Sequence, residues 1–553
     1  MSRGYEAIAR ALTLEGVEVV FGVLGASNDR LVHELVKVHG VRFVPARHEQ
    51  GAVGMADGYS RATGTIGVAT VEKGPGLTNT ATAMTAARLS RSPVLLVAGD
   101  KVAGSRLGNM DIDQPPFIRA TTGAMQQVNG ASTLATEVAL AFRHLRLGLG
   151  PIALNVPTDV SEAEMPDGWE YAPSAASLPA LRAPAPDPGA VRALADRVRA
   201  SARPVVLAGR GALRSAARED LLGLAEHIGA VLATTLLGKG WFAGDPFDLG
   251  ISGGFAPSQA REILGEADIV IAFGAALNPY TLDHGRLYPQ AALAAVDVDP
   301  AAIGSLAAVD GAIVGDAAAT ARALVAELRE GAQPAGWRSD ELAARIRAID
   351  PWADCDFTER PGYVNRHELV RICEELLPRE RMLAVGIGHF MGMPTAHLSV
   401  GAPGEVVLPW RLGAIGSGMP AGIGAAVGRP DRTVVVFEGY ASLMMTLQDL
   451  ETAARCRIPV LVIVENDGGH GSERISMRRR GDDSTLADFA NPDFAAVARS
   501  LGADGHSASS AGELRAALAA IGPRLEGPAL IDVRISPEES DVRMTHVRSG
   551  GPI

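Results

Sequence analysis

The stretch Val434–Gly471, VVVFEGYASLMMTLQDLETAARCRIPVLVIVENDGGHG, decides the fold. Four apolar residues, Val434 to Phe437, run into a turn of small residues, an amphipathic segment follows, and a second apolar run, Val460 to Val464, ends in polar residues and glycines. That order reads as strand, turn, helix, strand. In parallel α/β sheets, ligands sit beyond the carboxyl ends of the strands. Here those ends carry Glu438-Gly439-Tyr440-Ala441-Ser442 and Asn466-Asp467-Gly468-Gly469. The turn also opens a helix, whose unpaired N–H groups suit a phosphate. Taken alone, the stretch is also consistent with an ordinary βαβ unit with polar loops, because most such units bind nothing.

Working outward, the same alternation fills the chain, which at 553 residues is too long for one core. Residues 1–170 carry apolar runs at Val19–Gly22, Val41–Val44, Ile66–Val71, Val94–Ala98 and Ile152–Val156. A helix opens at Arg47-His48-Glu49-Gln50-Gly51 and is predicted to run to about Thr63. The proline-rich segment Leu178–Pro188 reads as a linker. A second unit, 188–332, has runs at Pro204–Leu207, Ala230–Ala233, Ile269–Phe273 and Ala294–Val298. A polar segment containing Pro351 and Pro361 leads to a third unit, 363–540, which holds the opening stretch and ends in a polar tail. The pattern predicts an α/β fold of three consecutive doubly wound parallel-sheet domains. Their similar size raises the question of an internal duplication, although no short repeat period is visible.

Composition narrows the partners. A net charge of -12 argues against nucleic acid and anionic membranes as main partners. The three cysteines, Cys355, Cys373 and Cys456, fit neither zinc-site spacing nor a disulfide framework, so a reducing cytoplasm is the simplest setting. The first helix is charged throughout and lacks a signal-peptide core. The uncharged run Leu412–Gly428 approaches membrane-spanning length, but its glycines and Pro420 speak against a spanning helix.

Two turns in the first unit have chemical character. Glu49 sits beside Arg47 and His48 where a helix begins, a place that favours its anionic form, and a structural helix-start carboxylate is the plainer reading. Gly74-Pro75-Gly76, followed by Leu77-Thr78-Asn79, opens another helix with glycines that permit close backbone approach.

In combination these features say more. The Arg-His-Glu-Gln-Gly helix start, the GPG-x-T-N turn, Asp297-Val298-Asp299-Pro300, LGAIGSGMPAGIGAA at Leu412–Ala426 and Asn491-Pro492-Asp493-Phe494 stand in the order found in a known family. The chain resembles the thiamine-diphosphate enzymes of the acetolactate synthase type over nearly its whole length. The resemblance implies pyrimidine-binding, central and diphosphate-binding domains, in that order. It also implies decarboxylation of a 2-oxo acid, with protonation or carboligation to a second carbonyl compound. Glu49 matches the glutamate that hydrogen-bonds the aminopyrimidine ring of thiamine diphosphate and promotes its imino tautomer. Ile415 matches the bulky residue that props the cofactor in its bent form, and the backbone near Gly413 would accept from its amino group. Pro75 and Asn79 fall on the pyrimidine side, and Gly439, Tyr440, Ala441, Ser442 and Asn466 on the diphosphate side. Gly388 and His389 match a glycine-glutamine pair near the diphosphate, and a surface loop histidine is the other reading of His389. Gln114 matches a glutamine near the reacting carbon, and His470 a residue lining the cavity. His48 is read either as a proton shuttle or as a structural hydrogen-bonding group. The site would lie between subunits of a homodimer or homotetramer.

The chain also departs from the family pattern. Counting back from Gln448-Asp449-Leu450, Tyr440 stands where the family places the aspartate that binds magnesium, and a neutral phenol is a poor Mg2+ ligand. Asp467 stands where the second ligand, an asparagine, is expected, with the Gly469 carbonyl as third. One explanation is that Asp467, helped by Glu438, restores the lost carboxylate and the metal still binds. The other is that the metal site is gone, leaving a flavin-dependent or cofactor-independent enzyme or a non-catalytic binding subunit. Met110-Asp111 replaces the Phe-Gln pair of acetolactate synthases, which points to a specialised activity rather than the housekeeping one. The loop Thr234–Gly240 resembles the flavin (FAD) loop of some relatives, whereas Ala276 replaces the arginine expected beside it.

Overall fold

The computed structural model describes residues 2–106, 108–178, 183–330 and 336–538. Residues 179–182 of the predicted linker, the segment 331–335 around the predicted end of the second unit, and the tail beyond 538 lie outside the described residues.

The apolar runs fold as strands, and the inner ones are buried on both faces, as parallel sheets covered by helices require. The first sheet contains β1 (Val19–Gly22), β2 (Arg42–Pro45), β3 (Gly67–Val71), β4 (Val94–Asp100), β5 (Met125–Gln127) and β6 (Ile152–Pro157). The second contains β7 (Pro204–Ala208), β8 (Val231–Thr234), β9 (Asp248–Ile251), β10 (Ile269–Phe273), β11 (Ala292–Asp297) and β12 (Gly311–Val314). The third contains β13 (Arg381–Val385), β14 (Val406–Val407), β15 (Thr433–Gly439), β16 (Leu461–Asn466), β17 (Asp504–Ala508) and β18 (Ala529–Arg534). Every named pairing is parallel, for example Val435 opposite Leu461 and Gly439 opposite Glu465.

Strand order separates the three units. The first sheet runs β2-β1-β3-β4-β6-β5 and the third runs β14-β13-β15-β16-β18-β17, so they share one topology. The second runs β12-β11-β10-β7-β8-β9, a different winding. The common order relates the outer units and sets the central one apart. In each sheet the winding reverses between β1 and β3, β7 and β10, and β13 and β15, which leaves a crevice at the carboxyl ends of those strands, and the outer two sheets turn back once more at β5–β6 and β17–β18.

Two helices join the first unit to the third. The glutamate helix, Glu49–Thr63, starts at His48, whose Nδ1 accepts from the Gln50 N–H at 3.1 Å, and ends at Gly64 in the left-handed region with φ 74°. Its buried residues are mostly small: Gly51, Ala52, Ala56 and Gly58. The glycine helix, Gly418–Gly428, is the apolar run of ambiguous length, and it is buried on all sides within the protein. A Cβ on Gly58 would overlap the Ala421 carbonyl, and one on Gly424 would overlap that of Met55. The two helices therefore meet backbone to backbone, in one apolar core shared by the outer units. Among the described residues, no helix is long and apolar enough to cross a membrane.

Candidate active site

The site residues named from sequence fall into two groups. On the first unit, the Glu49 carboxylate opens the glutamate helix and its Oε2 accepts from Asn79 Nδ2 at 2.9 Å. Gly76 lies alongside, near enough that an added Cβ would touch Glu49 Oε1 at 3.4 Å. Pro75 is the first residue of the short helix Pro75–Thr78, and Gly74 before it has φ 60°, with no room for a side chain against the Met110 carbonyl. Gln114 is buried. Its Oε1 accepts from the Gly74 N–H at 2.8 Å, and its Nε2 donates to Asn155 Oδ1 and the Gly99 carbonyl, so it fixes the GPG turn. His48 caps its helix through Nδ1. Asp111, in place of a family glutamine, pairs with Lys73 at 2.7 Å.

On the third unit, the crevice between β13, β15 and β16 gathers the other group. Gly388 and Gly439 both abut the Phe390 ring, which leaves no space for a Cβ at either position. Gly413 has φ 72° and open space around it, and Ile415 packs on the core that includes Phe390 and Met391. Ser442 Oγ accepts from the Gly416 N–H at 2.9 Å, tying the Ile415 loop to the helix Tyr440–Thr446 that carries Ala441. Asn466 donates to Asp532 and accepts from the Gly468 N–H. Gly469 forms a bridge with Asp488, and the His470 ring packs on Phe489 at 5.1 Å. The two groups approach each other where Gln50 and Gly54 share a small pocket with Ala414, Gly416 and Ser417.

The region that sequence marked as anomalous is filled and charge-paired. The Tyr440 ring lies between Phe489 (6.3 Å, stacked) and Phe494 (5.6 Å), with its hydroxyl donating to the Ala490 carbonyl at 3.2 Å. Asp467 Oδ2 is 3.3 Å from Arg474 Nη1 and 3.5 Å from His389 Nε2, and the Gly469 N–H also donates to this carboxylate. Burial raises the Asp467 pKa, and Arg366 and Arg474 oppose that rise. Arg366 Nη2 donates to the same His389 Nε2 at 3.0 Å, and Arg366 Nε donates to Glu465 at 2.6 Å, with both the Arg366 and Glu465 side chains fully buried. Glu438 is enclosed under the start of the glycine helix, accepting from the Met419 N–H at 2.7 Å, and burial pushes its carboxyl up to about 7.

Mg2+ takes hard oxygen ligands in near-octahedral sets at about 2.0–2.1 Å. The donor set here does not fit it. Asp467 is paired with the Arg474 guanidinium and lies beside His389, the Tyr440 hydroxyl faces a carbonyl, and Glu438 is enclosed elsewhere. A unit-charge pair about 4 Å apart is worth about 4 kcal/mol at an effective dielectric of 20, and a dication doubles it, so a cation on Asp467 would be repelled by the guanidiniums already there. Among the described residues, no group of three or more His, Cys, Asp or Glu side chains is placed to hold a metal. Arg366, Arg474 and Glu465 escaped the sequence reading.

Asp449, in the helix Gln448–Arg455, is fully buried against Gly51 with neither carboxyl oxygen hydrogen-bonded, and burial pushes its pKa up to about 8. An unfolded aspartate titrates near about 3.9. Between these values the folded chain keeps a proton that the unfolded chain releases, so stability falls as pH rises from about 4 to about 8. Asp449→Asn is expected to raise the unfolding midpoint at pH 8, with the gain shrinking towards pH 4. A gain that is constant across that range would clear Asp449 of this role.

The second unit has its own crevice at the β7–β10 reversal, opening into a cavity of about 1160 Å³. Arg88, Arg91, Arg210, Arg214 and Arg411 line it, and Arg210 donates to the Ser90 carbonyl at 2.9 Å.

Fold and site together define a protein of three doubly wound units whose polar loops gather at the winding reversals of the outer two. Three family models match in the same order. They are the N-terminal TPP binding domain of thiamine pyrophosphate enzymes over residues 2–131, the central domain over 191–324 and the C-terminal TPP binding domain over 386–533. The chain is 30% identical to an acetolactate synthase large subunit of Parasynechococcus marenigrum, over 96% of this chain and 87% of the relative. It is 31% identical to a Pseudomonas aeruginosa protein named as a probable 2-ketoarginine decarboxylase, over 90% and 88%. It is 28% identical to a sulfoacetaldehyde acetyltransferase of Castellaniella defragrans, over 90% and 87%. The chain belongs to the thiamine pyrophosphate enzyme family and is acetolactate-synthase-like.

Proposed function

We propose that this chain is a thiamine-diphosphate-dependent decarboxylase or carboligase acting on a 2-oxo acid, with a carbonyl compound as acceptor when it transfers, and that its activity is specialised. The observation that carries this reading is Glu49, a partly exposed carboxylate at a helix start, oriented by Asn79. That arrangement suits a ring nitrogen that exchanges a proton with a carboxylic acid. When bound, the cofactor supplies a carbon nucleophile and an electron sink. The chain's part is to hold the proton at Glu49, to keep that carboxylate in place through Asn79, and to wall the cofactor with Ile415. Relatives named as a synthase, a decarboxylase and an acetyltransferase leave both transferase and lyase outcomes within the family. The altered Met110-Asp111 segment, tied down by Lys73, supports a substrate other than that of acetolactate synthases. The working unit in this reading is a homodimer or homotetramer with the site between subunits, and flavin in the central cavity is a further proposal that a visible absorption spectrum tests.

The reading predicts CO2 release from at least one member of a panel of 2-oxo acids by the full-length chain supplied with thiamine diphosphate. Cofactor binding without release from any of the panel would refute the decarboxylase reading. A second reading, a binding subunit without thiamine chemistry, draws on the Tyr440 ring filling the diphosphate end. It predicts neither binding nor release.

A further inference from the structure

Asp467, just beyond the end of β16, stands where the resemblance places a metal ligand, and its carboxylate is already engaged. Its Oδ2 lies between Arg474 Nη1 at 3.3 Å and His389 Nε2 at 3.5 Å. The side chains of Asp467 and Arg474 are 5% and 1% exposed, so this is an interior ion pair rather than a loose surface contact. Gly471 packs against both Asp467 and His389 so closely that a Cβ there would overlap them, which leaves the histidine little freedom to withdraw. Arg366 Nη2 donates to that same His389 Nε2 at 3.0 Å and is itself matched by buried Glu465. Arg474 reaches on to Asp488 at 2.6 Å, and that second carboxylate is half exposed.

Asp467 therefore already has a buried cationic partner in Arg474. A dication that closed onto Asp467 would strip Arg474 of its buried partner and stand among like charges. Breaking a buried pair in that way is costly because it leaves a charge uncompensated. The second oxygen that a metal would need is also missing, since the Tyr440 hydroxyl is turned to the Ala490 carbonyl and its ring is held by Phe489 and Phe494. A guanidinium carries several N–H donors, and hydrogen bonds from such a group to phosphate oxygens are among the stronger ones in proteins.

We infer that this chain binds the diphosphate of its cofactor without a divalent cation, with the Arg474 guanidinium on Asp467 occupying the place of the metal and Arg366 holding His389 beside it. Asp467 is then the buried partner of Arg474 rather than a metal ligand. The inference rests on the reading that the chain binds thiamine diphosphate.

Calorimetric titration of the full-length chain with thiamine diphosphate, in excess MgCl2 and in EDTA, tests it. The dissociation constant is expected to agree within about threefold between the two conditions. Tightening of tenfold or more by Mg2+ overturns the inference and leaves the thiamine reading standing. No binding in either condition overturns both. In Arg474→Gln, which frees Asp467, binding in EDTA is expected to weaken at least tenfold and to recover in part when Mg2+ is added. A variant that binds as the wild type does in both conditions overturns the role of Arg474. The wild-type comparison decides the matter even where this variant fails to fold.

Discussion

Replacing Glu49 with glutamine is expected to lower turnover about 10²- to 10⁴-fold, the usual scale for loss of a positioned acid–base group, while the unfolding midpoint stays close to that of the wild type. The separation of the two effects follows from the site. Glu49 is only partly buried, and its hydrogen bond to a side chain comes from Asn79. A glutamine carbonyl can still accept that bond. The stability lost is then the interaction of a charge with the helix start, about 0.3–1 kcal/mol. The amide cannot take up and return a proton, so the reaction loses the group while the fold keeps its shape. Turnover within threefold of the wild type would take Glu49 out of the proton path. A large fall in stability would show it to be structural.

The second large effect is on stability. Arg366 and Glu465 form a fully buried pair at 2.6 Å, linking the helix Arg366–Leu376 to the end of β16. Arg366→Met leaves Glu465 charged and enclosed, and breaking such pairs from one side costs about 3–5 kcal/mol. The expected result is a clear drop in the urea midpoint of the variant. The paired replacement Arg366→Met with Glu465→Leu is expected to recover most of the loss, because two apolar side chains of similar volume leave no orphan charge. A single variant less than about 1 kcal/mol below the wild type, or a double variant no better than the single, would contradict a buried, coupled pair.

How much of this was legible in the sequence depended on burial. Inner strands such as β3, β10 and β16 lie under helices on both faces, so they appear as unbroken apolar runs and were read almost to their ends. Strands β5, β9, β12, β13, β14, β17 and β18 were not read. β5, β9, β12, β14 and β17 stand at the outer edges of their sheets, and Gly311–Val314 alternates between exposed and buried residues, whereas β13 and β18 are inner but carry Arg381, Asp532 and Arg534, which interrupt the apolar run. The strand order that unites the outer units leaves no sequence period either, because it depends on which strands pair. At the site, Glu49 and Asn79 were legible only through the resemblance, since their bond spans thirty positions. Arg474 was within reach. The Asp-Gly-Gly-His-Gly loop opens a helix, and an arginine one turn in points back to the loop that precedes it. Arg366 was not, since it meets Glu465 across 99 positions and no local pattern announces it.

The crossing of the glutamate and glycine helices has a mechanical consequence. Joints between domains usually yield because side chains at the contact change rotamer and let the surfaces slide. At Gly58 and Gly424 the contact is main chain on main chain, and there is no rotamer to change. The outer units are thus keyed like a mortise and tenon, with Glu49 at one end of the key and Ile415 just ahead of the other. Within one chain the outer units then cannot slide on each other, and rearrangement inside a chain falls to the loops at the rim.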